Sequence, residues 1–378
     1  MTVVFEADKR TSTPFRFDNV GSFLRPAELK DARKRFAAGD ISREQLRSVE
    51  DATIEDLISK QKEVGLGAIT DGEFRRSWWH LDFMWGLHGV EKRDIGNGYQ
   101  FKGKETRAET ARVSGKISGE DHPFIEHFKF VQQFEEDGVA ARQTIPAPAQ
   151  FLSELQRPEN KESTDEFYPD QDALIEDIAA AYRTFIKELY EAGCRNLQID
   201  DCTWGMLVDE NYWKSRNDNT SVEELSRAFV TLNNKAITGH PEDLTITTHV
   251  CRGNYQSTWA SSGAYDKVAE VLFGEENVKA YYLEFDTERA GGFESLSKVS
   301  DGKLVVLGLF SSKLPELEDK EEIKARIEEA SKHVPLERLC ISPQCGFAST
   351  EEGNILTEKE QWEKLALVRE VAEEVWGK

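Results

Sequence analysis

His249 and Cys251 stand two residues apart at the end of a short apolar run and can offer an imidazole nitrogen and a thiol sulfur to one point. In an extended chain, residues at i and i+2 face the same side, so both donors would leave the end of a strand over Leu244–Cys251 in one direction. A third soft donor, Cys345, lies in Ser342-Pro343-Gln344-Cys345-Gly346, where proline and glycine bracket a tight turn. Glu284 closes the apolar run Ala280–Leu283. A carboxylate is costly to bury there unless it is paired or ligates a metal. One histidine, two cysteines and one glutamate suit zinc, which accepts nitrogen, sulfur and oxygen ligands. Taken alone, the His-x-Cys spacing fits equally a hydrogen-bonded core histidine beside a buried cysteine.

The elements that must carry these residues alternate. β-Rich runs occur at Arg16–Phe23, Ala68–Phe74, Arg142–Pro146, Asn196–Asp200, Leu244–Cys251, Ala280–Phe285, Lys303–Leu309 and Arg338–Ser342. Between most of them lie amphipathic helical patterns, at Glu44–Val64, Asp172–Ala192, Ser221–Lys235, Lys320–His333 and Glu358–Trp376. Alternation of this kind predicts a parallel sheet closed into an α/β fold, a (β/α)8 TIM barrel spanning 1–378 as one domain. An open doubly wound sheet would need a phosphate loop after its first strand, and Gly21-Ser22-Phe23-Leu24-Arg25-Pro26 is not one. In a barrel every donor named above sits at a strand's C-terminal end, the catalytic face. Two segments interrupt the pattern. Met84 to about Gly138 reads as a β-rich insertion after strand two, packed on the barrel, with a hairpin lid as one form it could take, and Ser153–Asp172 reads as a mobile polar loop.

Composition narrows the function classes. A net charge of −22 repels nucleic acid and anionic lipid, and no apolar run approaches the roughly 18 residues of a membrane span. Five cysteines in 378 residues do not suggest a disulfide framework. Met1–Arg16 shows no apolar stretch with a cleavage site. The expectation is a cytoplasmic enzyme acting on small molecules; the sequence leaves its oligomeric state open. Cys194, Cys202 and Cys340 read as core, and the acids of Lys313–Glu329 as a solvated helix face.

The motifs Val20-Gly21-Ser22-Phe23, Asp71-Gly72-Glu73-Phe74, Gln198-Ile199-Asp200-Asp201, His249-Val250-Cys251, Leu283-Glu284 and Pro343-Gln344-Cys345-Gly346 resemble, in order and placement, the catalytic barrel of cobalamin-independent methionine synthases. The resemblance runs from about Phe15 to Val375 and is closest to short, single-barrel relatives. It implies that His249, Cys251, Glu284 and Cys345 ligate Zn2+. It also implies that Ser22, with Gly21 allowing close backbone approach, holds the homocysteine carboxylate, and that Glu73 and Asp200 bind its ammonium. The implied reaction moves a methyl group from 5-methyltetrahydrofolate, or its polyglutamate, to the homocysteine thiol. A free thiol has a pKa of about 8.5, and zinc coordination removes its proton.

The chain departs from the family where a proton donor is needed. Phe310 stands in place of a histidine after strand seven, Asp201-Cys202 replaces a Glu-Pro pair, and Phe151-Leu152-Ser153-Glu154 lacks a tryptophan associated with the pterin. His80, His88 and Asp201 are the candidate replacement acids. The aromatic group Trp78, Trp79, His80, Phe83 and Trp85 either lines the transfer site or packs against the insertion. Lys313 and Arg252 are candidate anion receivers. Alternative readings are a sulfonium donor, an epoxide and coenzyme M as partners, a hydrolase working through paired carboxylates, and a zinc-binding protein without activity.

Overall fold

The structure is a computed structural model that describes residues 10, 12–215 and 220–377; the first nine residues of Met1–Arg16 lie outside it. Among the described residues there are twelve strands. β1 (Ala68–Ile69) precedes the insertion, which carries β2 (His88–Asp94), β3 (Gln100–Phe101), β4 (Lys104–Glu105) and β5 (Glu109–Ser118). β6 (Ala140–Ala141) and β7 (Gln143–Pro146) bring the chain back. They are followed by β8 (Asn196–Asp201), β9 (Thr245–Val250), β10 (Ala280–Glu284), β11 (Leu304–Phe310) and β12 (Leu339–Pro343).

β7 to β12 form one parallel sheet in the order β12-β11-β10-β9-β8-β7. β1 pairs in parallel with β6, and the Arg142 N–H donates to the Ile69 carbonyl (2.8 Å), joining this pair to the main sheet. The segment from Phe17 to Phe23 closes the ring. Phe17 bridges to Ile341, and the Phe23 N–H donates to the Gly72 carbonyl (3.1 Å). The fold is therefore the expected TIM barrel, with two of its runs mostly irregular. Gly21 (φ 137°), Gly72 (φ 64°) and Glu73 (φ 63°) leave the β region, so Arg16–Phe23 contributes only a bridge and Ala68–Phe74 only two strand residues.

Strand alternation divides the two faces. Leu197, Ile199, Val250, Tyr281, Leu283, Val305 and Leu307 join the hydrophobic core beneath the surrounding helices. The barrel axis is more polar. Arg142 pairs with Asp18 (2.9 Å), the Tyr282 hydroxyl donates to the same carboxylate (2.8 Å), and both ions are fully buried. Removing one partner of such a pair costs about 3–5 kcal/mol, because the other charge is left uncompensated. Helix starts are fixed locally: Ser42 with Gln45, Ser221 with Glu224 and Thr357 with Glu360 each form a reciprocal capping box.

The two interruptions differ from expectation in informative ways. The insertion is a β2–β5 antiparallel ribbon with a small β3–β4 hairpin at its tip, but it ends in a helix, Phe124–Gln132. That helix buries Phe124, Phe128 and Val131 against the barrel. Ser153–Asp172 is not a loop. It holds the end of helix Pro148–Leu155 and all of helix Pro158–Phe167. Proline in the first turn presets φ at each start. The buried face of the second helix is polar: Asn160 Nδ2 donates to the Glu154 carbonyl (2.8 Å) and Thr164 Oγ1 to that of Leu155 (2.8 Å). A polar face turned inward carries no hydrophobic period, so composition suggested a loop.

Candidate metal centre and the cavity above it

A cavity of about 680 Å³ opens at the C-terminal mouth of the barrel. His249, Cys251 and Cys345 lie on its floor, and their ligand atoms converge within 4.8 Å of one another. His249 in β9, and Cys251 directly after it, share the parity of Thr247. The Nδ1 of His249 stands 3.2 Å from the Tyr282 carbonyl, and Nε2 is buried without a hydrogen-bond partner. The carbonyl fixes the tautomer with the proton on Nδ1, which leaves the Nε2 lone pair free to bind a metal. Cys345 is delivered by the turn after β12. Gln344 N–H donates to the Phe310 carbonyl (2.8 Å), while Asn254 and Ser312 both donate to the Gly346 carbonyl (2.7 and 2.9 Å). Its sulfur comes within 3.7 Å of Cys251 Sγ. The hydrogen bond shared with Cys251, and then burial, push the Cys345 thiol well above its ordinary range. An orphaned imidazole lone pair beside two converging sulfurs is a donor set that fits zinc.

Glu284 lies beside this triad but outside the converging group. Its carboxylate accepts from the Arg252 N–H (2.8 Å) and from Arg289 (3.0 Å). Burial would raise its pKa, yet the charges of Lys313, Arg289 and Arg252 hold it at about 2. Lys313 is itself buried, and its Nζ has no hydrogen-bond partner. Arg252 is committed elsewhere, to the Gly263 carbonyl (2.8 Å) and the Tyr265 hydroxyl (2.8 Å), and does not await a substrate anion.

Glu73, Asp200 and Ser22 all line the cavity. Glu73 occupies the left-handed region as a non-glycine residue, strain that persists only where the surroundings enforce it. The Arg25 guanidinium holds its carbonyl (2.8 Å) and Asp71 accepts from its N–H (2.8 Å). Its Oε1 accepts from Thr144 and Arg76 at 3.3 and 3.4 Å, while Oε2 is buried without a partner. Asp200 accepts from Gln198 (2.8 Å). Burial, reinforced by the neighbouring Glu73, pushes its carboxyl well above the usual range; burial likewise raises Glu73 against the pull of Arg76 and Arg25. Two buried carboxyls that disfavour each other's charge form a site for a cation. Gly21 does not itself line the cavity. Its missing side chain leaves room for Thr144, whose Cγ2 would stand 2.9 Å from a Cβ there.

The candidate acids fare differently. Asp201 faces outward, away from the cavity, because it alternates with Asp200; its carboxylate accepts from Thr203 (2.6 Å) and Asn233 (3.1 Å). His88 is exposed at the start of β2 and does not reach the mouth. His80 does line the cavity, but burial and nearby Arg157 lower its pKa to about 3, so near neutral pH it is a neutral imidazole. Phe310 packs in the hydrophobic core and takes no place on the cavity wall. The aromatic group divides: Trp78, Trp79 and His80 line the cavity, while Phe83 stacks on His122 (4.5 Å) in the core and Trp85 donates to the Thr110 carbonyl (3.1 Å).

Sequence reasoning missed the far wall. The Tyr99 hydroxyl donates to Glu154 (2.8 Å) and lies 3.3 Å from His80 Nε2, while Arg157 lies over the Tyr99 ring at 4.3 Å. Tyr99 comes from the insertion and Glu154 and Arg157 from Ser153–Asp172, and no short motif marks them; His80 alone on this wall is among the candidates the sequence offers. Cys202 was read as core, but it lines the cavity beside Cys251.

The comparisons with known proteins agree with this architecture. Residues 15–374 match the family model for the catalytic domain of cobalamin-independent synthase. The chain is 43% identical over 373 residues to the uncharacterised protein YxjH of Bacillus subtilis, covering 98% of this chain and 97% of that one. A Listeria monocytogenes crystal structure, described provisionally as a vitamin-B12 independent methionine synthase, is 40% identical. It superimposes with a TM-score of 0.76 over 97% of this chain and 99% of the other. A B12-independent methionine synthase from Shewanella sp. W3-18-1, in complex with selenomethionine, shares the fold at 18% identity (TM-score 0.71, covering 95% and 96%). The chain belongs to the cobalamin-independent methionine synthase family of enzymes, and its His/Cys cluster is a candidate metal site within that barrel. No helix among the described residues is long and apolar enough to cross a membrane.

Proposed function

We propose that the protein methylates the thiol of homocysteine to give methionine, with a methylfolate as donor. The observation that carries this reading is the juxtaposition in one cavity of a converging N, S, S donor set and two buried carboxyls, Glu73 and Asp200, that disfavour each other's charge. His249, Cys251 and Cys345 would hold zinc, and Glu284 is the candidate fourth donor. Zinc bound there supplies thiol deprotonation at neutral pH. Glu73 and Asp200 receive the substrate ammonium, and Ser22 lies within the same cavity to meet its carboxylate. A sulfonate-bearing thiol would instead place an anion against two carboxyls, which disfavours the coenzyme M alternative. The selenomethionine bound by the Shewanella relative is an amino acid of the kind this arrangement would receive.

A second reading concerns the donor. Of the three candidate acids, Asp201 faces away, His88 is exposed and His80 is neutral. A sulfonium, already charged, needs no proton to leave. The test is a screen of methylfolate and sulfonium donors with homocysteine on zinc-loaded protein, with methionine as readout. Methionine from methylfolate supports the proposal, and turnover with a sulfonium alone replaces the donor. Absence of methyl transfer to homocysteine from either class overturns it.

A further inference from the structure

The cavity holds a third thiol that the converging triad does not use. Cys202 directly follows β8 with the parity of Gln198 and Asp200, and like Asp200 it lines the cavity. Asp201 pairs with Val250, so the next position on each strand end sets Cys202 opposite Cys251. Neighbouring parallel strands run about 4.8 Å apart, inside the Cα separations of about 4.4–6.8 Å that a disulfide spans. Two contacts hold these ends together. The Cys251 N–H donates to the Asp201 carbonyl (3.1 Å), and Gly205, in the helix Thr203–Val208, lies so close to the Cys251 carbonyl that a Cβ would collide with it. Both thiols line the same cavity. Cys202 is half-buried at the cavity surface, whereas Cys251 and Cys345 are buried.

We propose that Cys202 and Cys251 form a peroxide-sensitive dithiol, whose oxidation to a disulfide removes one of the three converging donors and discharges the metal. The disulfide is independent of the functional reading; the metal release rests on it. Hydrogen peroxide entering through the cavity oxidises the Cys251 sulfur to a sulfenic acid, and one water leaves. The Cys202 thiol then attacks that sulfur, the S–S bond forms and a second water leaves. Two thiols give up two hydrogens and two electrons, and the peroxide O–O bond accepts both electrons. Cys345, 3.7 Å from Cys251 sulfur to sulfur, is the competing partner, and the proposal assigns the cross-link to Cys202 because its strand end is the direct neighbour of that of Cys251. β10 and β11 stand between β9 and β12, and the Cys345 turn is anchored by Asn254 and Ser312.

The experiment treats the full chain, zinc-loaded and metal-free, with hydrogen peroxide. The readouts are free thiols, non-reducing peptide maps and zinc captured by a chromophoric chelator. The expected result is a Cys202–Cys251 cross-link in both forms, zinc release in step with it, and reversal of the cross-link by dithiothreitol. In Cys202→Ser, zinc release should slow roughly ten-fold, with Cys251 passing to irreversible sulfinic acid. If that variant does not fold, the wild-type peptide map decides alone. A Cys251–Cys345 cross-link, oxidation without any cross-link, or unchanged zinc release in Cys202→Ser overturns the proposal. A cross-link in a protein that never binds zinc would leave the dithiol standing and remove the metal reading.

Discussion

The two walls of the cavity are built on opposite terms. The barrel wall presents His249, Cys251, Cys345, Glu73 and Asp200 from strand ends and tight turns. Several of its polar atoms are unmatched, among them His249 Nε2 and Glu73 Oε2. The far wall presents Tyr99, Phe101, Glu154 and Arg157 from the insertion and the helices beside it. Apart from Nδ1 of His80, its polar groups are largely saturated by one another. Tyr99 and Thr110 both donate to Glu154, and Arg157 pairs with it at 3.3 Å. Buried unmatched groups cost free energy unless a ligand meets them, so under the proposed function the barrel wall is the reactive one. The matched wall supplies shape and keeps water out.

The largest effect should come from the centre of the barrel wall. Cys251→Ser or Cys345→Ser should lower zinc affinity by at least about 100-fold. Circular dichroism should remain that of the folded barrel, since neither sulfur holds strands together. Metal content by mass spectrometry checks this. Full zinc retention in both variants would dissolve the distinction between the walls.

Next in size is the acceptor site. Asp200→Asn should weaken homocysteine binding by about 2–4 kcal/mol while leaving zinc in place. The raised carboxyls add a pH signature. Binding an ammonium between them expels a proton, so calorimetry should show affinity rising with pH through their titration, until the amine itself deprotonates. Pairing of Glu73 with Asp200 as the cation site fails if both Glu73→Gln and Asp200→Asn bind homocysteine like wild type.

Behind the barrel wall, Asp201 and Glu276 flank Asn233, which donates to both (3.1 and 2.9 Å). Burial and the charge of Asp201 push Glu276 up to about 8 from an ordinary 4.5. The folded state therefore holds a proton that the unfolded chain gives up. This contribution to stability is fully present below about 4.5 and is lost as pH rises to about 8. Glu276→Gln should remove that decline. Denaturant melts should show the variant gaining on wild type by about 2 kcal/mol between pH 5 and pH 6.5. Parallel pH profiles for the two proteins would show that the carboxyl is not held neutral.

How far the sequence could be read follows the same division. The barrel wall was legible because strand parity and motif order act over a few residues: His249 and Cys251 by their spacing, Asp200 by its place at the end of an apolar run. Parity applied more strictly would also have turned Asp201 outward and brought Cys202 in, since Asp201 alternates with Asp200 and Cys202 shares its side. The far wall was not legible. Tyr99 meets Glu154 and His80 only because the insertion folds back over the mouth, where the Lys102 N–H donates to the Trp259 carbonyl (3.0 Å) and Lys104 to that of Gln256 (2.9 Å). Contacts across such sequence separations leave no periodic trace. The polar inner face of Pro158–Phe167 hid a helix for the same reason.

The smallest predicted effect is the one that tests the independence of the two walls. Tyr99→Phe keeps the ring that lines the cavity and removes only the hydroxyl between His80 and Glu154. Glu154 would retain Thr110 and Arg157, so the fold should lose only about 1 kcal/mol, the usual worth of one buried hydrogen bond. His80 would lose its contact at Nε2 and with it the reason for its ring orientation. The donor, which must enter past this wall, should then show a KM raised by about two- to ten-fold, in keeping with a loss of 0.5–1.5 kcal/mol. Zinc content and homocysteine affinity should not move, because no hydrogen bond joins Tyr99 to the triad or to Asp200. Steady-state kinetics varying each substrate in turn separates these outcomes. A fall in homocysteine affinity comparable to that of Asp200→Asn would mean that the insertion positions the reactive groups as well as covering them.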